Sequence, residues 1–151
     1  MKHRIVVMLA FLVMGTFALS MGATHVSAHS STRSVPQCES DQCNGLPVEE
    51  ACSSDASLVR FARMSTDKGV IIGELSLWWS RSCDAYYGQL KSVGGTRLMS
   101  LSIRLYPLSY PSGSRYVDSI TSPMVAKDDG TVYITGTVYN DADSYDLEFN
   151  Y

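Results

Sequence analysis

Four cysteines, Cys38, Cys43, Cys52 and Cys83, are the side chains in this 151-residue chain best suited by type and spacing to do chemistry. A thiolate can hold a metal, attack a substrate or exchange with another sulfur. The spacing C-x4-C-x8-C-x30-C matches no zinc pattern and contains no C-x-x-C redox pair. In an exported chain, four such cysteines read as two structural disulfides. Histidine usage agrees. His3, His25 and His29 all precede the first cysteine, so the abundant serines have no imidazole base beyond that point. A Ser–His–Asp triad is excluded there, and a zinc site loses its commonest nitrogen ligand.

Carboxylates are the remaining catalytic candidates. A pair of them could cleave a glycoside, but no pair is set apart by spacing among the 15 acidic residues. Asp128, Asp129, Asp141, Asp143, Asp146 and Glu148 could offer oxygens to calcium, yet the glycine of a dedicated calcium loop is missing. A solvated acidic C-terminal segment, 140–151, is the plainer reading. Residues 116–151 hold seven acidic residues and one basic one, which argues against nucleic acid, since phosphate contacts need Lys and Arg. The residues therefore predict no metal, no cofactor and no enzyme, with a small carboxylate-dependent hydrolase as the catalytic alternative.

Aromatic residues are the better candidates for recognition. Trp78 and Trp79 are adjacent in a predicted strand, so one enters the core and the other faces away. Parity puts Trp79 inside with Leu75 and Leu77, and Trp78 on the second face with Glu74 and Ser76. Tyr106, Tyr110 and Tyr116 frame a Pro- and Ser-rich segment, 107–116, that also carries Arg115. It reads as a long loop. Trp78, Tyr106, Tyr110, Arg115 and Tyr116 form the candidate binding surface. Such a surface suits a cell-wall glycan or an extracellular protein.

The elements that must position these groups begin after an export signal. Lys2, His3 and Arg4 precede an apolar run from Ile5 to Leu19 and a small-residue exit ending in Val26-Ser27-Ala28. That is the form of a secretory signal peptide over 1–28, cleaved before His29, with no membrane attachment afterwards. A flexible leader, 29–37, precedes a β domain over 38–139. Period-two alternation predicts strands over 57–65, 70–79 (Ile71 inward, Ile72 outward), 97–106 and 131–139. Residues 84–90 could be a helical turn or a short strand. Met124–Ala126 is expected to pair with 131–139 across an Asp129-Gly130 turn. Residues 140–151 either add an edge strand or trail off. The fold class is all-β: a small, disulfide-stapled sandwich or barrel of five to six strands.

The first hairpin also bears on the disulfides. Its turn, Thr66-Asp67-Lys68-Gly69, centres near residue 68, and opposed residues of an antiparallel pair sum to a constant. Cys52 and Cys83 then meet at the open base of the hairpin, leaving Cys38 with Cys43. Cys38–Cys83 with Cys43–Cys52 is the competing pairing. By chain entropy the larger loop is worth about 3.7 kcal/mol and the smaller about 2.2 kcal/mol.

The cysteine block resembles a secreted domain family of unknown function, DUF2690, also called YjfA-like. The residues that carry the resemblance are Cys38, Cys43-Asn44-Gly45, Cys52 with Asp55-Ala56, Ser80 with Cys83, and Met124-Val125. This chain departs from the family pattern at Leu46-Pro47, at Trp78-Trp79 and at Tyr86-Tyr87. The resemblance implies an exported disulfide domain typical of Gram-positive bacteria and supplies no activity. A binding module at the cell envelope is the expected function. A secreted inhibitor or effector of an extracellular enzyme, inserting 107–116, is its alternative.

Overall fold

Among the described residues, alternating side chains in nine strands build two antiparallel sheets that close on each other as a sandwich. The computed structural model describes residues 36–140 and 143–151. The expected signal peptide, most of the leader, all three histidines and Asp141 lie outside the described residues. A 3₁₀ turn, Ser40–Cys43, and a single helical turn, α1 (Glu50–Ser54), precede the strands.

The first sheet is a meander of β1 (Ala56–Ser65), β2 (Ile71–Ser80) and β3 (Ala85–Ser92). The chain then crosses to the second sheet for the hairpin of β4 (Arg97–Leu105) and β5 (Leu108–Val117). It returns to lay β6 (Ser119–Thr121) and β7 (Val125–Ala126) one after the other along the same edge of β3. Finally β8 (Val132–Asn140) joins β4, and β9 (Asp143–Asn150) closes the second sheet as its edge.

The inward rows follow the alternation. Met99, Leu101, Ile103 and Leu105 of β4 are buried, as are Val132, Ile134 and Val138 of β8. They meet Leu75, Leu77 and Leu90 of the first sheet in one apolar cluster. The layers press together at Gly88 and Gly136. A Cβ at Gly88 would lie 2.0 Å from Ile134 Cδ1, and one at Gly136 would lie 3.1 Å from Leu75 Cδ1. A side chain at Gly88 would force Ile134 or the sheets to shift, and one at Gly136 would crowd the Leu75 and Leu90 side chains.

Several expectations change in the folded chain. Residues 107–116 are not a loop. Pairing with β4 makes them an edge strand, which absorbs its breakers by a register shift between Ser100 and Ser102 and by Gly113 at φ 71°. An edge strand tolerates Pro111 because its amide need not enter a ladder. The turn before it is two residues long, Tyr106-Pro107. Residues 84–90, read as helical turn or short strand, fall almost wholly within a central strand, Ala85–Ser92. Val125–Ala126 pairs with β3 rather than with β8, so Asp129-Gly130 joins the two sheets instead of closing a hairpin. Another register shift, between Met64 and Ser65, turns Ile72 into the core at 2% exposure and leaves Ile71 at 37%.

Register along β2 and β3 sets Trp79 opposite Tyr86 and Trp78 opposite Tyr87. Each aromatic doublet is thereby split between the two faces of the first sheet. Trp79 and Tyr86 join the cluster between the sheets, whereas Trp78 and Tyr87 join a second, smaller cluster on the outer face.

Candidate functional site

The second cluster is built by the cysteine segment. Cys38 is bonded to Cys43 and Cys52 to Cys83, with Cα–Cα separations of 5.1 and 5.5 Å. Hairpin register produces the second bond: Ala56 faces Ser80, so the chain just outside each strand end is brought together. The sulfurs of Cys38, Cys43 and Cys83 lie within 4.8 Å of one another. All four are oxidised in pairs, so this cluster presents no thiolate to a metal.

Polar contacts fasten the segment further. The Asp55 carboxylate accepts from Ser80 Oγ at 3.0 Å, Ser82 N at 2.8 Å and Ser82 Oγ at 3.2 Å, locking α1 to the β2–β3 turn. Asn44 Oδ1 accepts from Ala126 N at 2.7 Å. Gly45 N donates to Met124 O at 2.9 Å, and Met124 N donates to Leu46 O at 2.8 Å. Gly45 has φ 77°, and a Cβ there would stand 2.8 Å from Tyr110 Cε1. Only glycine meets both demands without strain. The residues singled out by sequence around the cysteines are thus partners in one folded unit, which lies on β3 and β7.

Between that unit and β5 runs an open groove of about 600 Å³. Pro47 and Val48 form one wall, Pro111 and Arg115 the other, and Tyr87 and Gln89 of β3 lie between them. The Arg115 guanidinium is steadied by Nη2 donating to Ser112 O at 3.1 Å. Burial, and secondarily the negative charge of Asp55, pushes the Tyr87 phenol above its ordinary pKa, so it stays a neutral hydroxyl.

A second surface faces the other way. Outward residues of the second sheet register into four cross-strand rows. Tyr116, Leu98, Tyr139 and Ser144 make the first; Ser114, Ser100, Thr137 and Asp146 the second. Pro111, Ser102, Thr135 and Glu148 make the third; Ser109, Arg104, Tyr133 and Asn150 the fourth. Thr135 Oγ1 donates to Glu148 Oε2 at 2.9 Å, and the Arg104 guanidinium sits 5.0 Å above the Tyr133 ring. The central rows offer hydroxyls and carboxylates, and the end rows offer rings.

The five candidate binding residues do not converge. Trp78 is half-buried against the stapled cluster, with Nε1 donating to Ser76 Oγ at 2.9 Å. Its expected free face is covered by chain that comes from far away in sequence. Leu58 and Phe61 remain exposed on the outer side of neighbouring β1. Tyr110 packs on the main core and against Gly45. Arg115 borders the groove. Tyr106 is 86% exposed at the β4–β5 turn, and Tyr116 is 74% exposed on the outer grid.

Tyr87, Gln89, Tyr133 and Tyr139 were not singled out by sequence. For Tyr87 and Gln89 the missing signal was the strand assignment of 85–92, which would have set them opposite Trp78 and Ser76. Among the acidic residues, Asp146 and Glu148 belong to the grid of an ordered edge strand, where charge also discourages further pairing. No protein-family model, no curated protein and no solved structure matches the chain.

Proposed function

We propose that this chain is a secreted, non-enzymatic binding module of the bacterial cell envelope, which holds a wall glycan on the outer face of its second sheet. The observation that carries the reading is the row in which Tyr116 and Tyr139 flank Leu98 on three adjacent strands. Two strand spacings set the rings about 10 Å apart, a span suited to alternate sugar units of a glycan chain. The apolar faces of sugars stack on tyrosine rings. Their hydroxyls find partners in the Ser, Thr, Asp and Glu rows beside them.

Export is supported by two closed disulfides. Among the described residues, no helix is long and apolar enough to cross a membrane. The alternative of an enzyme inhibitor rests on Tyr106 alone, because the inserting loop it needed is a paired strand.

Co-sedimentation with purified cell wall tests the proposal. Tyr116→Ala with Tyr139→Ala should weaken binding by about 0.5–1.5 kcal/mol per ring, while Tyr106→Ala leaves it intact. Unchanged wall binding in the double variant would sink the reading. Capture of a secreted enzyme that is lost only with Tyr106→Ala would favour the inhibitor instead.

A further inference from the structure

We infer that the groove between the stapled segment and β5 is a second binding site, distinct from the outer grid, and that it takes a peptide of uncharged side chains by its terminal carboxylate. Three observations carry this.

The first is charge. Arg115 is the one charged side chain among the twelve residues that line the groove. Among the described residues the single ion pair is Arg63 with Glu74, so the Arg115 guanidinium has no carboxylate of its own. Its bond to Ser112 O occupies one N–H and orients the planar fork, leaving donors for a ligand. A guanidinium fork matches a carboxylate through two parallel hydrogen bonds. One positive charge suits a monoanion. A phosphate dianion would call for additional cations.

The second observation is the polar inventory beside Arg115. Among the described residues, neither the Gln89 amide nor the Tyr87 hydroxyl is engaged in a side-chain hydrogen bond. An amide that both donates and accepts is the natural complement of a peptide group. The Tyr87 phenol is a neutral donor through the physiological range, and burial raises its pKa further.

The third is shape. The volume lies within the range of ligand sites, which are concave and carry a few placed polar groups on apolar walls. Pro47, Pro111 and Pro123 supply walls with few internal freedoms, so little ordering is needed on binding. The disulfides hold one of these walls against the sheet.

Heteronuclear NMR titration of the intact oxidised protein tests the inference. The probe is a pool of N-acetylated tetrapeptides of uncharged residues with free C-termini, compared with the same pool amidated. The free-acid pool should shift the side-chain signals of Gln89 and Arg115. Amidation should weaken binding at least about tenfold, the loss of a charge-assisted pair. Arg115→Ala, shown folded by an unchanged spectrum elsewhere, should abolish the difference between the pools. Arg115→Lys should restore it only in part.

Equal binding of both pools, or full binding by Arg115→Ala, overturns the inference. So does failure of the free-acid pool where inorganic phosphate or an acidic disaccharide shifts the same signals. Tyr116→Ala with Tyr139→Ala should leave the titration unchanged, which separates this site from the glycan face.

Discussion

The two buried clusters on either side of the first sheet differ in what holds them. Among the described residues, sixteen buried side chains from both layers pack between the sheets without a cysteine. On the outer face, seven buried residues form a cluster in which four are cysteines. A large interlayer core is sustained by apolar burial alone. A thin cluster has too little apolar area to offset the entropy of ordering an irregular segment, so covalent links supply the difference. Trp78-Trp79 and Tyr86-Tyr87 straddle the boundary, one ring of each doublet serving each cluster. One wall of the groove belongs to the stapled side, and the face proposed to hold a glycan belongs to the unstapled one.

Removing the longer staple is the strongest way to sharpen this contrast. Cys52→Ala with Cys83→Ala should cost about 3.7 kcal/mol by chain entropy, against about 2.2 kcal/mol for Cys38→Ala with Cys43→Ala. Urea unfolding measures both. Hydrogen exchange should show residues 38–55 losing protection before β4 and β8. Simultaneous loss throughout would mean that the clusters are one cooperative unit.

Gly88→Ala probes the other side with a smaller effect. Its methyl group would meet Ile134 Cδ1 at 2.0 Å, so the sheets or the isoleucine must shift. The expected cost is about 1–3 kcal/mol, with both disulfides still formed by mass mapping. A neutral result would show that the interlayer packing is looser than the close approach of Gly88 implies.

The smallest effect is a pH dependence shared by the two tyrosines. Burial raises the pKa of both Tyr86 and Tyr87 above 10.0, with Asp55 adding to Tyr87 and Tyr151 and Asp84 to Tyr86. Above that pH the unfolded chain releases these protons while the folded chain retains them. Stability present below pH 10 is therefore lost as pH rises toward the folded pKa values. Urea midpoints between pH 8 and 11 should fall less steeply in Tyr87→Phe and in Tyr86→Phe. An unaltered slope in Tyr87→Phe alone would mark the stapled side as open to solvent.

Much of the scaffold was legible because it is local. The 57–65 and 70–79 hairpin, its register at the base and the pairing of Cys52 with Cys83 follow from alternation and a turn four residues long, whereas the two register shifts within it do not. The inward row of β4 follows from alternation alone. The misjudged elements share a cause: their partners are distant in sequence. Residues 107–116 carry two prolines, a glycine and three serines, the composition of a loop, and become a strand only because β4 offers an edge. Val125–Ala126 has a neighbouring strand pattern but finds β3 instead. The candidate site was less legible still. Of its five aromatic and basic residues, Tyr110 turns inward, Trp78 is covered, and Arg115 and Tyr116 point into different surfaces.

By itself, then, the sequence determined an all-β chain and the inward row of β4, and it favoured the covalent staple at the base of the first hairpin. Each of these depends on period-two alternation or on contacts across a single turn. Tertiary structure alone decided that the stapled segment lies over Trp78, that a groove opens beside Arg115, and that Tyr116 and Tyr139 share a face. Those outcomes depend on which distant strands pair and which surfaces they cover, information that no short window of residues contains.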